Sequence, residues 1–91
     1  MHKTAILAFA LVAAAAPAAF AGMLGRPCTA APQSQWMSLD ALKAKVEAMG
    51  YTVRKAKLNK ESCAEIYTLD KGGVRTELFL DPTSGQIVGR I

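Results

Sequence analysis

Histidine occurs once in the 91 residues, at position 2, and cysteine only twice, at positions 28 and 63. Residues 22–91 therefore contain no histidine at all. That absence excludes Ser-His and Cys-His nucleophile pairs and His-bearing zinc sites from this part of the chain on composition alone. The two cysteines are 35 residues apart, unlike a Cys-x-x-Cys redox motif, and no further thiol exists to complete a metal shell. Neither Asp70-Lys71-Gly72-Gly73 nor Asp81-Pro82-Thr83-Ser84-Gly85 has the ligand density of a calcium loop, and both read as turns. No cofactor is expected. Ten Lys and Arg stand against seven Asp and Glu in residues 22–91, a net charge of +3 that does not call for nucleic acid as a partner. No internal repeat is visible, and no low-complexity tract occurs beyond the first 21 residues.

What is present begins with an export signal. Met1-His2-Lys3 is a short basic start, Ala5 to Ala16 is an unbroken apolar run, and Ala19-Phe20-Ala21 has the small-x-small pattern that precedes cleavage, so residues 1–21 read as a signal peptide. The competing reading is an uncleaved anchor, because Thr4 to Leu24 is nominally long enough to span a bilayer. Pro17, the alanines and the lack of basic residues directly afterwards favour cleavage. The expected location is periplasmic or secreted. In such an oxidising compartment an even cysteine pair is expected to be joined, so Cys28 and Cys63 should form a disulfide. The 70 residues that follow the signal suffice for one small domain with a thin core.

Residues 22–35, with Gly25, Pro27 and Pro32 and few large apolar groups, read as an irregular lead-in, and residues 36–91 as the domain. Ser38 is a plausible N-cap, after which Leu39, Leu42, Val46 and Met49 recur at helical spacing. Gly50 sits where a left-handed C-cap belongs. Met37 and Leu42 occupy the staple positions around that start. Trp36 reads as a lid on the core in preference to a ligand platform. Tyr51 to Leu58 reads as a strand whose alternation slips, which a bulge near Lys55 would reconcile. Cys63–Leu69 and Val74–Leu80 read as a hairpin, and Gln86–Ile91 as a short edge strand. The fold class is α+β: one amphipathic helix packed on a small antiparallel sheet of three to four strands.

With Lys71-Gly72 as a two-residue loop, Leu69 would face Val74, Tyr67 would face Thr76, Glu65 would face Leu78 and Cys63 would face Leu80. The helix would then cover Cys63, Tyr67, Leu69, Val74, Leu78 and Leu80. The other face would carry Ala64, Ile66, Thr68, Arg75, Glu77 and Phe79. Cys63 would point to the helix side. Glu65 and Glu77 would point to opposite faces and could not converge on one substrate. Glu65, an acid among core residues, would pair with a lysine such as Lys55 or reach water.

Trp36, the helix end Gly50-Tyr51-x-Val53, Cys63-x-Glu65-x-Tyr67, Gly73, Glu77 and Asp81-Pro82-Thr83-x-Gly85-x-Ile87 together resemble the PepSY-like domains of exported bacterial proteins. The resemblance covers about residues 36–88. It implies a helix on a small antiparallel sheet, in a family noted in propeptides of thermolysin-like metallopeptidases and suspected of binding or restraining proteases. The family pattern holds no catalytic residue, so no active site is carried over and the chain is not expected to be an enzyme. The Arg54, Lys55, Lys57 and Lys60 cluster and the Cys28 partner of Cys63 have no counterpart in that pattern.

Two surfaces are candidates for binding. Ile66 and Phe79, flanked by Arg75 and Glu77, would form an apolar patch on the face away from the helix, of the composition found at protein contacts. Scattered apolar residues are also ordinary on any surface. The basic stripe Arg54, Lys55, Lys57 and Lys60 would suit an acidic protein, anionic lipid at a membrane surface or another polyanion. It equally suits a solvated strand edge that discourages aggregation. The primary expectation is a non-catalytic exported module that contacts a protein or peptide, with a peptidase among the candidate partners. The alternative is an electrostatic binder of membrane or envelope polyanions.

Overall fold

In a computed structural model, which describes residues 24–91, a four-stranded antiparallel sheet carries one helix on one face. The elements run, after a 3-10 turn at Gln33–Gln35, as α1 (Leu39–Ala48), β1 (Thr52–Leu58), β2 (Ala64–Leu69), β3 (Arg75–Leu80) and β4 (Ile87–Arg90). The strands lie in the order β1-β2-β3-β4, a meander in which each strand pairs with its neighbours in sequence. The α+β arrangement expected from the residue pattern is present. The signal segment, residues 1–21, lies outside the described residues. No helix among the described residues is long and apolar enough to cross a membrane.

The ends of α1 are set by local chemistry. Ser38 has extended backbone, and its hydroxyl accepts the Ala41 amide at 3.1 Å, which satisfies one of the amides that a helix start leaves unpaired. At the other end Gly50 takes φ +101°. Its amide donates to Glu47 O, and the Tyr51 amide donates to Val46 O. These are the two bonds of a Schellman motif, completed by Tyr51 packing on the cluster that contains Val46. Leu42 and Val46 are fully buried and Leu39 partly so, whereas Met49, at the C-cap, is 46% exposed and lies outside the helical stripe expected of it.

The core beneath the helix comprises Leu42, Val46, Ala64, Ile66, Leu78 and Leu80, with Met37, Tyr51, Val53, Ala56, Leu58 and Ile87 packed around it. The register of β1 shifts between Val53 and Lys55, so the slip in alternation is a β-bulge at Arg54. That bulge returns Ala56 and Leu58 to the side of Val53.

The β2–β3 hairpin differs from its two-residue reading. Leu69 pairs with Arg75, Tyr67 with Glu77, Glu65 with Phe79 and Ala64 with Leu80. The loop has three residues, Lys71-Gly72-Gly73, with Gly73 at φ +81° and mutual bonds between Asp70 and Val74 regions: the Asp70 amide donates to Val74 O, and Asp70 Oδ1 accepts from Gly72 and Val74. A one-residue change of register reverses every side chain of β2 against β3, whose own faces are as expected. Ala64, Ile66, Thr68, Leu78 and Leu80 therefore share the helix side, and Glu65, Tyr67, Leu69, Arg75, Glu77 and Phe79 the opposite side. Cys63, of the same parity as Glu65, is reached from the side away from the helix.

The β1–β2 loop repeats the design. The Asn59 amide donates to Cys63 O, and Asn59 Oδ1 accepts from the amides of Glu61 and Cys63. Ser62 takes the left-handed position, φ +60°, that glycine fills in the second hairpin.

Candidate functional site

The face of the sheet away from α1 is divided into a covered half and an open half. Covering it is the lead-in. A disulfide joins Cys28 to Cys63, with their Cα atoms 4.9 Å apart, as the even cysteine pair led one to expect. Glu61 adds a second anchor: its Oε1 accepts from the amides of Leu24 and Gly25, and its carbonyl accepts from the Cys28 amide. The Arg26 guanidinium donates to Val88 O at 3.2 Å. Leu24 lies against Gly89, the β4 partner of Phe79, where any side chain would collide with it. Trp36 is half-buried and its indole donates to Ala31 O within the lead-in; it is not among the residues packed against the core.

Phe79 and Glu65, neighbours across β2 and β3 on this side, are respectively 0% and 2% exposed. The apolar patch expected from Ile66 and Phe79 does not form. Ile66 is buried under the helix and Phe79 on the opposite side of the sheet, because the hairpin loop is one residue longer than the two-residue reading.

A buried carboxylate can persist only where donors replace water. Glu65 has three: Asn59 Nδ2 donates to Oε2 at 2.7 Å, the Tyr67 hydroxyl donates to Oε1 at 3.1 Å, and Lys57 Nζ stands 3.8 Å from Oε1. Its lysine partner is Lys57, opposite it on β1; Lys55 instead lies over the Tyr67 ring, 5.8 Å from the centroid. The role of Asn59 is absent from the sequence reading. The polar run Asn59-Lys60-Glu61-Ser62 marks a turn there and nothing more.

Glu77 also stands on this side, opposite Tyr67, so the two acids share a face, contrary to the sequence-based expectation. Tyr67 has a single hydroxyl proton, which it donates to Glu65, and Glu77 Oε2 is buried with no hydrogen-bond partner. Burial, and then the nearby Glu65 charge, raise the Glu77 carboxyl above its ordinary value. Burial, the hydrogen bond to Glu65 and the Glu77 charge push the Tyr67 phenol up to about 12, so it remains a neutral donor at physiological pH. With a donor on each oxygen and almost no exposure, Glu65 ties β1 to β2 and lies out of reach of a substrate.

Beyond Tyr67 the face is open. A groove of about 710 Å³ runs over it, lined chiefly by Arg54, Tyr67, Leu69, Arg75, Glu77 and Ile91. Ile91 extends β4 by exchanging both backbone bonds with Glu77. The bulge matters here, because in a bulge two residues oppose one, which brings Arg54 as well as Lys55 beside Tyr67. Arg54, Lys55, Lys57 and Arg75 are all exposed; Lys60 is exposed too, but in the β1–β2 turn and outside the groove. The structure thus brings Arg54, Arg75 and Glu77 together and leaves Lys60, Ile66 and Phe79 apart from them. No group of three or more His, Cys, Asp or Glu among the described residues is placed to hold a metal.

A helix-backed antiparallel meander, with one face half sealed by its own leading segment, defines a small α+β module. Residues 4–91 match the family model described as "Peptidase propeptide and YPEB domain", and the chain belongs to that family, in agreement with the PepSY-like resemblance of its residues. Modules of this family are typically exported, generally non-catalytic and propeptide- or inhibitor-like in character. Neither the curated proteins nor the solved structures contain a match to this chain.

Proposed function

We propose that this protein is an exported, non-catalytic binding module that engages a protein or peptide and restrains a peptidase. The observation that carries this reading is the open half of the sheet: a groove of about 710 Å³ with an apolar floor and charged rims, in a family associated with peptidase propeptides. Support also comes from composition, since residues 22–91 hold no histidine to serve as a base. The face is rigidly presented. Strands β2 and β3 pack on α1 below and on the tethered lead-in beside the groove, so little ordering is required on binding.

The test is titration of the oxidised protein into thermolysin-type and other exported metallopeptidases, reading both peptide hydrolysis and direct binding. Saturable binding that slows hydrolysis, and that Leu69→Asp weakens on the order of 10-fold or more, is expected of a residue at a contact centre. Absence of binding to every such peptidase contradicts the reading.

The polyanion alternative is favoured by one observation, the exposure of Arg54, Lys55 and Lys57 along the edge strand β1. It predicts adsorption to anionic vesicles that salt abolishes and that Lys55→Glu with Lys60→Glu removes.

A further inference from the structure

The chemistry of the partner segment can be read from the groove, on the assumption that the docking function just described is right. Arg54 and Arg75 stand on strands β1 and β3, on either side of Tyr67 and Leu69 on β2. Neither arginine, nor Lys55, has a carboxylate within ion-pair distance among the described residues, where the ion pairs are Lys43–Asp40 and Lys57–Glu65. Three exposed cations thus stand on the face that carries one half-buried acid, Glu77. Between them lie Leu69, the Tyr67 ring and Ile91, which is 65% exposed. At the base, Glu77 Oε2 is a buried acceptor without a donor.

We propose that this groove takes an extended acidic peptide segment of the partner protein, with an apolar side chain seated on Leu69, Tyr67 and Ile91 and carboxylates on Arg54 and Arg75. The fit rests on charge complementarity. Guanidinium groups pair with carboxylates through two parallel bonds, so two arginines across a groove select an anionic segment and fix its direction. The apolar floor asks for a side chain between those carboxylates. A lipid surface meets the first of these requirements but not the second.

The test uses the oxidised protein and a fluorescein-labelled, end-blocked peptide of sequence Asp-Glu-Leu-Asp-Glu, followed by anisotropy. Controls are the same peptide with lysine at every acidic position and vesicles of phosphatidylglycerol. Binding of the acidic peptide alone is expected, weakened on the order of 10-fold by Arg54→Glu or Arg75→Glu and by molar salt. Lys43→Glu, on the helix, should leave it unchanged. Equal binding of the lysine peptide, no binding of the acidic one, or indifference to both arginine substitutions overturns the proposal. Vesicle binding without peptide binding overturns it as well, in favour of a lipid surface. Thermal melts of each variant separate lost binding from lost fold. If a peptidase binds and the acidic peptide fails to compete, the docking function stands and this inference alone falls.

Discussion

Ser62 occupies the left-handed region with φ +60°, at the position where the neighbouring hairpin places Gly73. A side chain there costs about 1 to 2 kcal/mol, and among the described residues no hydrogen bond from the Ser62 hydroxyl offsets it. Ser62→Gly is expected to stabilise the protein by roughly 0.5 to 1 kcal/mol, the gain reduced by the greater freedom of glycine in the unfolded chain, as read in urea denaturation. Glu77 gives a pH signature. Its carboxyl titrates above its ordinary value when folded, so the native state holds a proton that the unfolded state releases. Stability contributed in this way is complete below the unfolded value and is lost as pH rises through the folded one. Tyr67, pushed up to about 12, loses stability in the same direction between pH 10 and 12. Glu77→Gln should therefore be at least as stable as the parent at neutral pH, and should flatten the decline of stability above pH 4.5. A denaturation series across pH checks this; a variant that is less stable at pH 7 but not at pH 4 would contradict it.

At the scale of elements, legibility differed sharply between helix and hairpin. The helix announced both its ends: Ser38 and Gly50 are caps with one physical use each, and the structure places the expected bonds on them. Gly50→Ala, which forces a Cβ into φ +101° and against the Lys71 side chain, should cost about 1 to 2 kcal/mol in thermal or chemical melts. The bulge in β1 was legible too, because polar and apolar residues there alternate clearly enough for a slip to show. In β2 they do not. Ala64, Ile66 and Thr68 are buried on one side and Glu65 on the other, so both parities are occupied by inward-facing residues and the pattern cannot choose a register. The decision fell to the loop, where Asp70-Lys71-Gly72-Gly73 accommodates two or three residues. The left-handed Gly73 and the Asp70 carboxylate settle on three. That single residue moved Ile66 into the core and placed Glu77 on the same side as Glu65.

At the scale of the molecule, the disulfide and Glu61 together tie the lead-in to the sheet face that carries Phe79 and Glu65, which compensates for a core of six fully buried apolar residues between helix and sheet among the described residues. Closing a loop of this length is worth roughly 3 to 4 kcal/mol, a large part of the stability of so small a domain. The double variant Cys28→Ser, Cys63→Ser should lose about that much in guanidinium denaturation, and its Trp36 fluorescence should shift to the red as the lead-in frees. Had the patch read from sequence been real, Phe79 would be a contact residue; buried beneath the lead-in, it makes Phe79→Asp a folding lesion and no probe of binding. What the basic stripe concealed was its geometry. Spacing alone did not reveal that the bulge carries Arg54 to the side of Arg75, or that Lys57 is engaged with Glu65.

The most direct test is a heteronuclear NMR titration of the isotopically labelled, oxidised protein with a peptidase that it binds. Shifts concentrated at Arg54, Tyr67, Leu69, Arg75, Glu77 and Ile91, with α1 and the lead-in unmoved, are the result expected of a partner seated on the open half of the sheet. Shifts that map to the exposed side of α1 and spare the groove would contradict it.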